Sequence, residues 1–215
     1  MAVASKVDIC NMALDHLGKP PIASLTEGSV EAQTCLRQYD IARRGCLIRS
    51  PWTFARRQRA LSIREDNPIE RMWTVRHDLP NDSLKLHRID EGWTDPRLNS
   101  PPHPHYIEAG TVYSHMPNAV AYYTFDSNEV LVWSTLFDDA VALALALRMT
   151  PAMTRRKSDA DLMRNMFREA LAEAIEFDAM QEQTTYTYYD GGYADARDGA
   201  GTGARRMSDG SVIWE

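Results

Sequence analysis

The stretch LFDDAVALALAL, residues 136–147, decides the fold of this chain of 215 residues. It contains the longest apolar run of the sequence, residues 140–147, which is far too short to cross a membrane. Apolar side chains recur at helical spacing in two adjacent stripes: Leu136, Ala140, Leu143 and Leu147 form the first, and Phe137, Val141 and Ala144 form the second. The pattern predicts a helix that is buried on most of its sides.

This helix is predicted to start near Glu129 and to end before Pro151. Residues 126–128 are polar residues of the kind that cap helix N-termini, and proline interrupts the helical hydrogen-bond ladder. A further helix follows, in which Ser158 and Asp161 resemble a capping box. Its predicted apolar stripe comprises Leu162, Met166, Ala170 and Phe177, with Ala174 beside it. The second half of the chain therefore contains a pair of helices.

Another pair of helices is predicted near the start of the chain. The first of them ends at Gly18 and Pro20, which stop a helix. The second has Ser29 as its predicted N-cap and ends before Pro51, because a residue that precedes proline is pushed out of the α region. The apolar stripes comprise Val7, Cys10, Leu14 and Leu17 in the first helix, and Ala32, Cys35, Leu36, Tyr39, Ala42 and Cys46 in the second.

The middle of the chain, residues 55–125, keeps no helical period. Short extended runs are separated by proline, glycine, asparagine and aspartate, a pattern typical of short antiparallel strands and hairpins. The runs are residues 61–63, 84–86, 106–108, 111–113 and 119–125, and residues 108–111 form a candidate tight turn between two of them.

The predicted fold class is therefore α+β, with a helical bundle built from two sequence-distant helix pairs. An antiparallel β-rich segment is inserted between the pairs, and an extended C-terminal arm follows. The predicted parts are residues 1–54 (bundle, first part), 55–126 (β-rich insertion), 127–184 (bundle, second part) and 185–215 (arm).

The composition, 44% hydrophobic and 25% charged, is ordinary for a soluble globular protein. A net charge of −6 argues against the whole molecule being a nucleic-acid binder, although a local basic face is compatible with it. Cys10, Cys35 and Cys46 lie on apolar helical positions without a C-x-x-C motif, so we expect buried thiols in a reducing compartment. The N-terminus lacks the apolar region of a signal peptide, and we expect none.

No catalytic constellation is recognisable in the sequence, so we expect no enzyme and no cofactor. His103, His105 and His115 could suggest a metal site, but their spacing fits no standard zinc pattern, and we expect no metal there. Asp138 and Asp139 are adjacent, and adjacent helical residues point about 100° apart, so they should not converge on one substrate. Cys46 is a weak nucleophile candidate for which a buried structural thiol is the preferred interpretation.

The clearest charge feature is basic. Arg43, Arg44, Arg49, Arg56, Arg57 and Arg59 fall within seventeen residues that contain no acidic residue. Such a cluster, with Trp52 and Phe54 interleaved, could contact phosphates or stack on bases. Salt bridges to an acidic neighbouring subunit are the preferred interpretation, because the chain is negative overall and arginine is common at interfaces. Trp52 and Phe54 are themselves predicted to be core anchors where the helix meets the β-rich segment.

The last residues, 183–215, are not expected to fold by themselves. They contain six glycines and four tyrosines and no apolar periodicity, and glycine-rich sequence loses much conformational entropy on ordering. We expect this segment to bind a partner or a sister subunit; packing on its own domain and a low-complexity linker are the alternatives. The candidate docking residues are of types that dominate interface hot spots: Tyr186, Tyr188, Tyr189, Tyr193, Arg197, Arg205, Arg206 and Trp214.

Taken together, these segments resemble the head-to-tail adaptor family of phages, that of tail tubular protein A. The matching elements near the start are N-x-A-L-x-x-L-G at residues 11–18, a Pro-Ile-x-S-L connection at 21–25 and W-x-F at 52–54. Later elements are an L-P-x-D-x-L strand entry at 79–84, a hairpin at 106–113, Trp133 with the helix that follows, and residues 174–179. The resemblance covers about residues 5–180 in order. It departs from the family in the β-rich segment and in the tail.

The resemblance implies a structural role in the virion tail or neck, with the host cytoplasm as the place of assembly. Such adaptors form a ring, typically of twelve copies, between the portal protein and the tail nozzle or another tail protein. DNA passes through the ring without sequence-specific binding, the C-terminal arm docks on the portal, and no membrane is involved. The alternatives are a tail-assembly factor that leaves the particle and, less favoured, an enzyme with an unrecognised site.

Overall fold

The computed structural model describes residues 5–64, 72–92, 103–154 and 157–182, together with 204–206 and 212–214. Four helices lie in this part of the chain: α1 (Lys6–His16), α2 (Val30–Leu47), α3 (Thr135–Met153) and α4 (Lys157–Glu182). Between α2 and α3 the described residues form seven strands: β1 (Arg56–Ala60), β2 (Ser62–Arg64), β3 (Val75–Asp78), β4 (Ser83–Glu91), β5 (Tyr106–Glu108), β6 (Thr111–Ser114) and β7 (Ala119–Phe125). The fold is α+β, as the sequence predicted.

The helix α3 is the centre of the bundle, because α1, α2 and α4 all pack against it. Its residues from Ala140 to Ala146 are buried without interruption, which confirms the helix buried on most sides. One contact across the bundle joins the Cys35 thiol on α2 to the sulfur of Met149 on α3, 3.5 Å apart. The two sequence-distant helix pairs thus share one hydrophobic core.

Serine hydroxyls cap three of the helices. Ser5, Ser29 and Ser134 each accept a hydrogen bond from a backbone N–H in the first turn of α1, α2 and α3, respectively. The cap of α2 confirms the prediction. Helix α1 ends shortly before Gly18, whose φ of 62° lies in the left-handed region.

The predicted start and end of α3 are wrong. Residues 126–128 do not cap it: a short 3-10 helix, Val130–Val132, comes first, and α3 begins after Ser134. Pro151 lies inside the last turn of α3, where a missing N–H costs only one hydrogen bond near the helix end. Ser158 is not the N-cap of α4 but its second residue, and its hydroxyl donates to Asp159.

Two predicted apolar stripes were placed partly on the wrong face. Leu36 on α2, and Leu162 and Phe177 on α4, are exposed, although the sequence assigned them to the core. On α4 the buried positions are Met163, Ala174 and Asp178. Met163 and Asp178 directly follow Leu162 and Phe177, so they lie about 100° further around the helix. The misassigned residues give both helices apolar side chains on their outer surfaces.

The strands form two antiparallel sheets with a small core of their own. One sheet has the order β1–β7–β4 and the other β2–β3–β6–β5. Side chains from both, including Ile89, Val112, Tyr123 and Leu61, make up this second core. Phe125 at the end of β7 packs against both cores, so the β-rich segment and the bundle are joined there.

The predicted strand runs coincide with five of these strands, whereas β1 and β3 were not predicted. The candidate turn at 108–111 is present between β5 and β6, with Ala109 and Gly110 both at positive φ (46° and 76°). Trp52 and Phe54 are core anchors as predicted: both rings pack on Phe137, with ring centroids 4.8 and 4.9 Å away.

Residues 183–215 form a unit of their own. Within it the structure describes two short strands, β8 (Ala204–Arg206) and β9 (Val212–Trp214), which pair antiparallel. Most of the predicted extended arm, including Tyr186, Tyr188, Tyr189, Tyr193 and Arg197, lies outside the described residues.

Candidate functional site

The arginine cluster is divided between the interior and the surface. Arg43 is only 2% exposed, because α2 turns it toward the loop that follows β7. Its guanidinium pairs with the Asp126 carboxylate at 2.6 Å and donates to the backbone carbonyl of Ser127. Arg43 therefore links α2 to this loop within one chain. The prediction that Arg43 lies at a subunit interface is thereby corrected.

Arg44 and Arg57 also have acidic partners within the same chain. Arg44 pairs with Asp126 at 2.7 Å, and Arg57 pairs with Asp82 at 2.9 Å. The Arg57 guanidinium in addition lies 3.6 Å from the centre of the Phe125 ring. Burial opposes the ionised form of Asp126, but hydrogen bonds from Arg43 and Arg44 prevail and lower its pKa. About half of each of the Arg44 and Arg57 side chains remains exposed.

The remaining three arginines of the cluster diverge. Arg59 on β1 lies close to Tyr123, where its positive charge opposes the rise that burial and Asp82 cause in the pKa of the Tyr123 hydroxyl. Arg56, also on β1, lines a cleft beside the sheet formed by β1, β7 and β4. Arg49 is exposed beyond the end of α2, beside Ile41. The six arginines thus form no single surface, since successive residues of a helix or a strand point in different directions.

The cleft beside Arg56 is a feature that sequence reasoning missed. It has a volume of about 380 Å³ and lies between β1, β4 and β7, lined by Pro51, Thr53, Arg56, Arg57, Gln58, His87, Arg88, Tyr122 and Tyr123. Its charge is largely compensated, because Arg57 pairs with Asp82 and Arg88 pairs with Asp90. Burial, followed by the nearby Lys85 and Arg56, lowers the pKa of His87, which keeps this imidazole neutral near pH 7. The cleft therefore offers little uncompensated charge to an anion.

Two helix surfaces are the most distinctive features of the exterior. The α2 outer face comprises Val30, Arg37, Ile41, Arg44 and Ile48, all exposed. The α4 outer face comprises Leu162, Glu169, Glu173, Glu176 and Met180, also exposed. Each combines large apolar side chains with charges of one sign, basic on α2 and acidic on α4. Exposed apolar side chains that line up in this way are typical of protein interaction surfaces.

The candidate catalytic and metal-binding groups do not converge. Asp138 is buried, whereas Asp139 is partly exposed and lies 3.7 Å from His16, so the two carboxylates point apart as predicted. His105 bonds the backbone of His103, and His115 stacks on Trp73. No group of three potential ligands that could hold a metal ion occurs in the part of the chain that the structure describes.

The three thiols are all free and buried. Burial raises the pKa of Cys46 to about 12, and the neighbouring Cys35 together with burial raises the pKa of Cys10. A raised pKa makes Cys10 and Cys46 poor nucleophiles. They act as small apolar side chains in the bundle core.

The predicted docking residues of the arm are not placed in a site. Tyr186, Tyr188, Tyr189, Tyr193 and Arg197 lie outside the described residues. Arg205, Arg206 and Trp214 belong to β8 and β9, whose backbone pairing puts Arg205 opposite Ile213.

Among the described residues, no helix is both long enough and apolar enough to cross a membrane. Compared with models of known protein families and with curated proteins, the sequence matches none.

Proposed function

We propose that this chain is a virion structural protein, a head-to-tail adaptor that forms a ring between the portal and the tail. DNA passes through this ring, and the C-terminal arm docks on the portal protein. No bond is made or broken in this role, and neither a cofactor nor a metal takes part in it. The ring is a homo-oligomer, of twelve copies if it matches the portal in symmetry, with a tail nozzle or another tail protein on its other side.

The observation that carries the proposal is the order of parts along the chain. The pairs α1–α2 and α3–α4 share one core although the β-rich segment separates them in sequence. A separate unit, residues 183–215, follows the bundle. This is the order that the resemblance to the adaptor family predicts, a helical bundle with a β-rich insertion and then an arm.

The exterior of the bundle supports an assembly role. The α2 outer face and the α4 outer face expose large apolar side chains to solvent. The cleft beside Arg56 contains ionisable side chains, but Arg57 and Arg88 in it are paired with acids, and no group of three potential metal ligands occurs among the described residues. Binding to partners accounts for the exposed apolar surface, whereas catalysis would leave it unexplained.

The test is binding of the purified protein to portal rings encoded by the same genome, followed by electron microscopy of the complex. The full chain is expected to add a ring of density to the portal, and deletion of residues 186–215 should abolish attachment while the helical circular dichroism signal is kept. Replacing Tyr186, Tyr188 and Tyr189 by serine should weaken attachment. Tyr106→Ser, an exposed tyrosine on β5, is the matched control and should leave attachment unchanged.

Two outcomes would count against the proposal. If the full chain does not bind portal rings and is absent from purified particles, the protein is not an adaptor, and a tail-assembly factor becomes the better interpretation. If the truncated chain joins portal rings as well as the full chain does, the arm is not the docking element.

A further inference from the structure

We propose that the α2 outer face of one copy of this chain binds the α4 outer face of a second copy, head to tail. The inference specifies the contact between subunits of the ring proposed above, and it rests on that self-assembly. It requires neither the portal nor the C-terminal arm. The two faces belong to different helices of the same molecule, so each copy carries both halves of the contact.

The α2 outer face is an apolar surface with basic side chains within it. Val30 is 66% exposed and Ile41 50%, and Ile48, the C-cap of α2, is exposed as well. Arg37 and Arg44 lie between them on the same side, because spacings of seven, four, three and four residues keep side chains on one side of a helix. Three large aliphatic side chains on one exposed strip leave apolar area in water that a partner would cover.

The α4 outer face has the same spacing, but its three middle positions are all acidic, so that Ile41 of the α2 outer face corresponds to Glu173. Leu162 is 56% exposed and Met180 60%. Glu169, Glu173 and Glu176 lie between them, and all three are exposed. Neither helix can bury these residues against α3, because the opposite sides of α2 and α4 already pack there. Both faces are thus left for a partner outside the described bundle.

The match in spacing and charge identifies the partner as another copy. The residues of the α2 outer face follow one another after seven, four, three and four positions, and those of the α4 outer face follow in the same intervals. When the two helices are placed side by side with the ends of the two faces aligned, apolar residues lie opposite apolar residues at both ends. Arg37 then lies opposite a glutamate in either relative direction, Glu169 if the helices are parallel and Glu173 if they are antiparallel. Opposite charges at these positions favour correct pairing and disfavour contact between two α2 or two α4 faces.

A contact of this kind is heterologous, since each copy uses a different surface toward each of its two neighbours. Repetition of a heterologous contact gives a closed ring if the rotation closes and a filament if it does not. The interface described here therefore supplies what a ring of identical subunits requires.

The experiment reverses the charge of each face separately and compares self-association by sedimentation velocity. The α2 variant carries Arg37→Glu and Ile41→Glu, and the α4 variant carries Glu169→Lys, Glu173→Lys and Glu176→Lys. Arg44 is left unchanged because it also pairs with Asp126. A control variant with Ile107→Glu and Glu108→Lys makes similar changes at exposed positions of β5, away from both faces.

The full chain is expected to associate as its concentration is raised, and added salt should weaken the association. Each reversed variant should associate at least about tenfold more weakly, because like charges then face each other. An equimolar mixture of the two variants should regain association, since the unchanged basic α2 outer face of the α4 variant can bind the unchanged acidic α4 outer face of the α2 variant. The control variant should behave as the unmodified chain does.

A second measurement guards against variants that fail to fold. Ile41→Cys and Glu173→Cys are milder changes, and a short bis-maleimide should link the two variants when they are mixed; the native cysteines are buried. Either single variant alone should give far less linked product, and so should Ile41→Cys mixed with Glu108→Cys.

Three results would overturn the inference: a full chain that stays monomeric at every concentration, reversed variants that associate like the unmodified chain, or a mixture that regains nothing. A full chain that binds portal rings but shows one of these results would keep the adaptor proposal and lose only this interface. Association through the two faces without portal binding would keep this interface and count against the adaptor proposal.

Discussion

The carboxylate of Asp178 on α4 binds Thr53, a residue 125 positions earlier in the chain. It accepts hydrogen bonds from the Thr53 backbone N–H at 3.0 Å and from the Thr53 hydroxyl at 2.6 Å. Asp178 is buried, and Thr53 begins the 3-10 helix, Thr53–Ala55, that leads into β1. The last helix of the bundle thus holds the entry to the β-rich segment.

Replacing Asp178 by alanine should destabilise the protein by roughly 2–4 kcal/mol, because a partly buried N–H and a hydroxyl would lose a charged acceptor. The free energy of unfolding in urea, followed by circular dichroism, measures this loss. Asp161→Ala on the exposed side of α4 removes only a surface pair with Arg164 and should change stability by less than about 1 kcal/mol. Equal stability of both variants would show that the Thr53 contact contributes little.

Arg43 should contribute to stability, whereas Arg49, from the same sequence cluster, should not. Arg43→Ala would leave the Ser127 carbonyl and part of the Asp126 carboxylate without their donor, at a cost of roughly 2–4 kcal/mol. Arg49 is exposed, so Arg49→Ala should change stability by less than about 0.5 kcal/mol. Thermal unfolding of the two variants side by side checks the difference. If Arg43→Ala unfolds at the same temperature as the unmodified chain, the internal role assigned to Arg43 is wrong.

The helices were predictable because their apolar period is strong, but the side that each one buries was less so. Leu162 and Phe177 fit a helical stripe in the sequence, yet α4 turns Met163, Ala174 and Asp178 toward its neighbours instead. On a helix with apolar residues on two sides, the period alone does not choose between them. Contact with α3 determines which side of α4 is buried, and the sequence of α4 alone does not specify that contact.

Neither the strand β1 nor the intramolecular pairing of the arginine cluster could be predicted from the sequence, for a related reason. The sequence RRQRA of β1 has no apolar alternation, and it is extended because β7 supplies its hydrogen-bonding partners. The acidic partners Asp126 and Asp82 are distant in sequence from Arg44 and Arg57, so the cluster seemed to lack acids. The α2 outer face could have been recognised from its spacing, had exposed apolar residues been considered together with charge.

The contribution of Asp138 to the stability of the protein should fall as the pH rises from about 4 to about 7. Burial raises the pKa of Asp138 to about 7, from an ordinary value near 4, and its Oδ1 atom has no hydrogen-bond partner. Between these values the folded protein holds a proton that the unfolded chain releases, so raising the pH favours unfolding. Asp138→Asn should remove this part of the pH dependence, as measured by urea unfolding at a series of pH values.

Asp139→Asn is the matched control, because Asp139 is adjacent on α3 but partly exposed. This variant should keep the pH dependence of stability that the unmodified chain shows between about pH 4 and pH 7. If Asp138→Asn has the same pH dependence of stability as the unmodified chain, Asp138 does not contribute to that dependence.

The hairpin between β5 and β6 should be open to stabilisation at Ala109. This residue has φ of 46°, in the left-handed region where a Cβ atom costs about 1 kcal/mol, whereas Gly110 beside it, with φ of 76°, carries none. Both central residues at positive φ make the turn of the type for which asparagine followed by glycine is preferred. Ala109→Asn should therefore raise the free energy of unfolding by roughly 0.5–1 kcal/mol. Gly110→Ala should lower it by a similar amount, although an added Cβ would meet no neighbouring atom within 4 Å. Because the effect is one of backbone conformation alone, the two changes should act in opposite directions in the same urea titration, and a loss of stability in Ala109→Asn would refute the assignment of this turn.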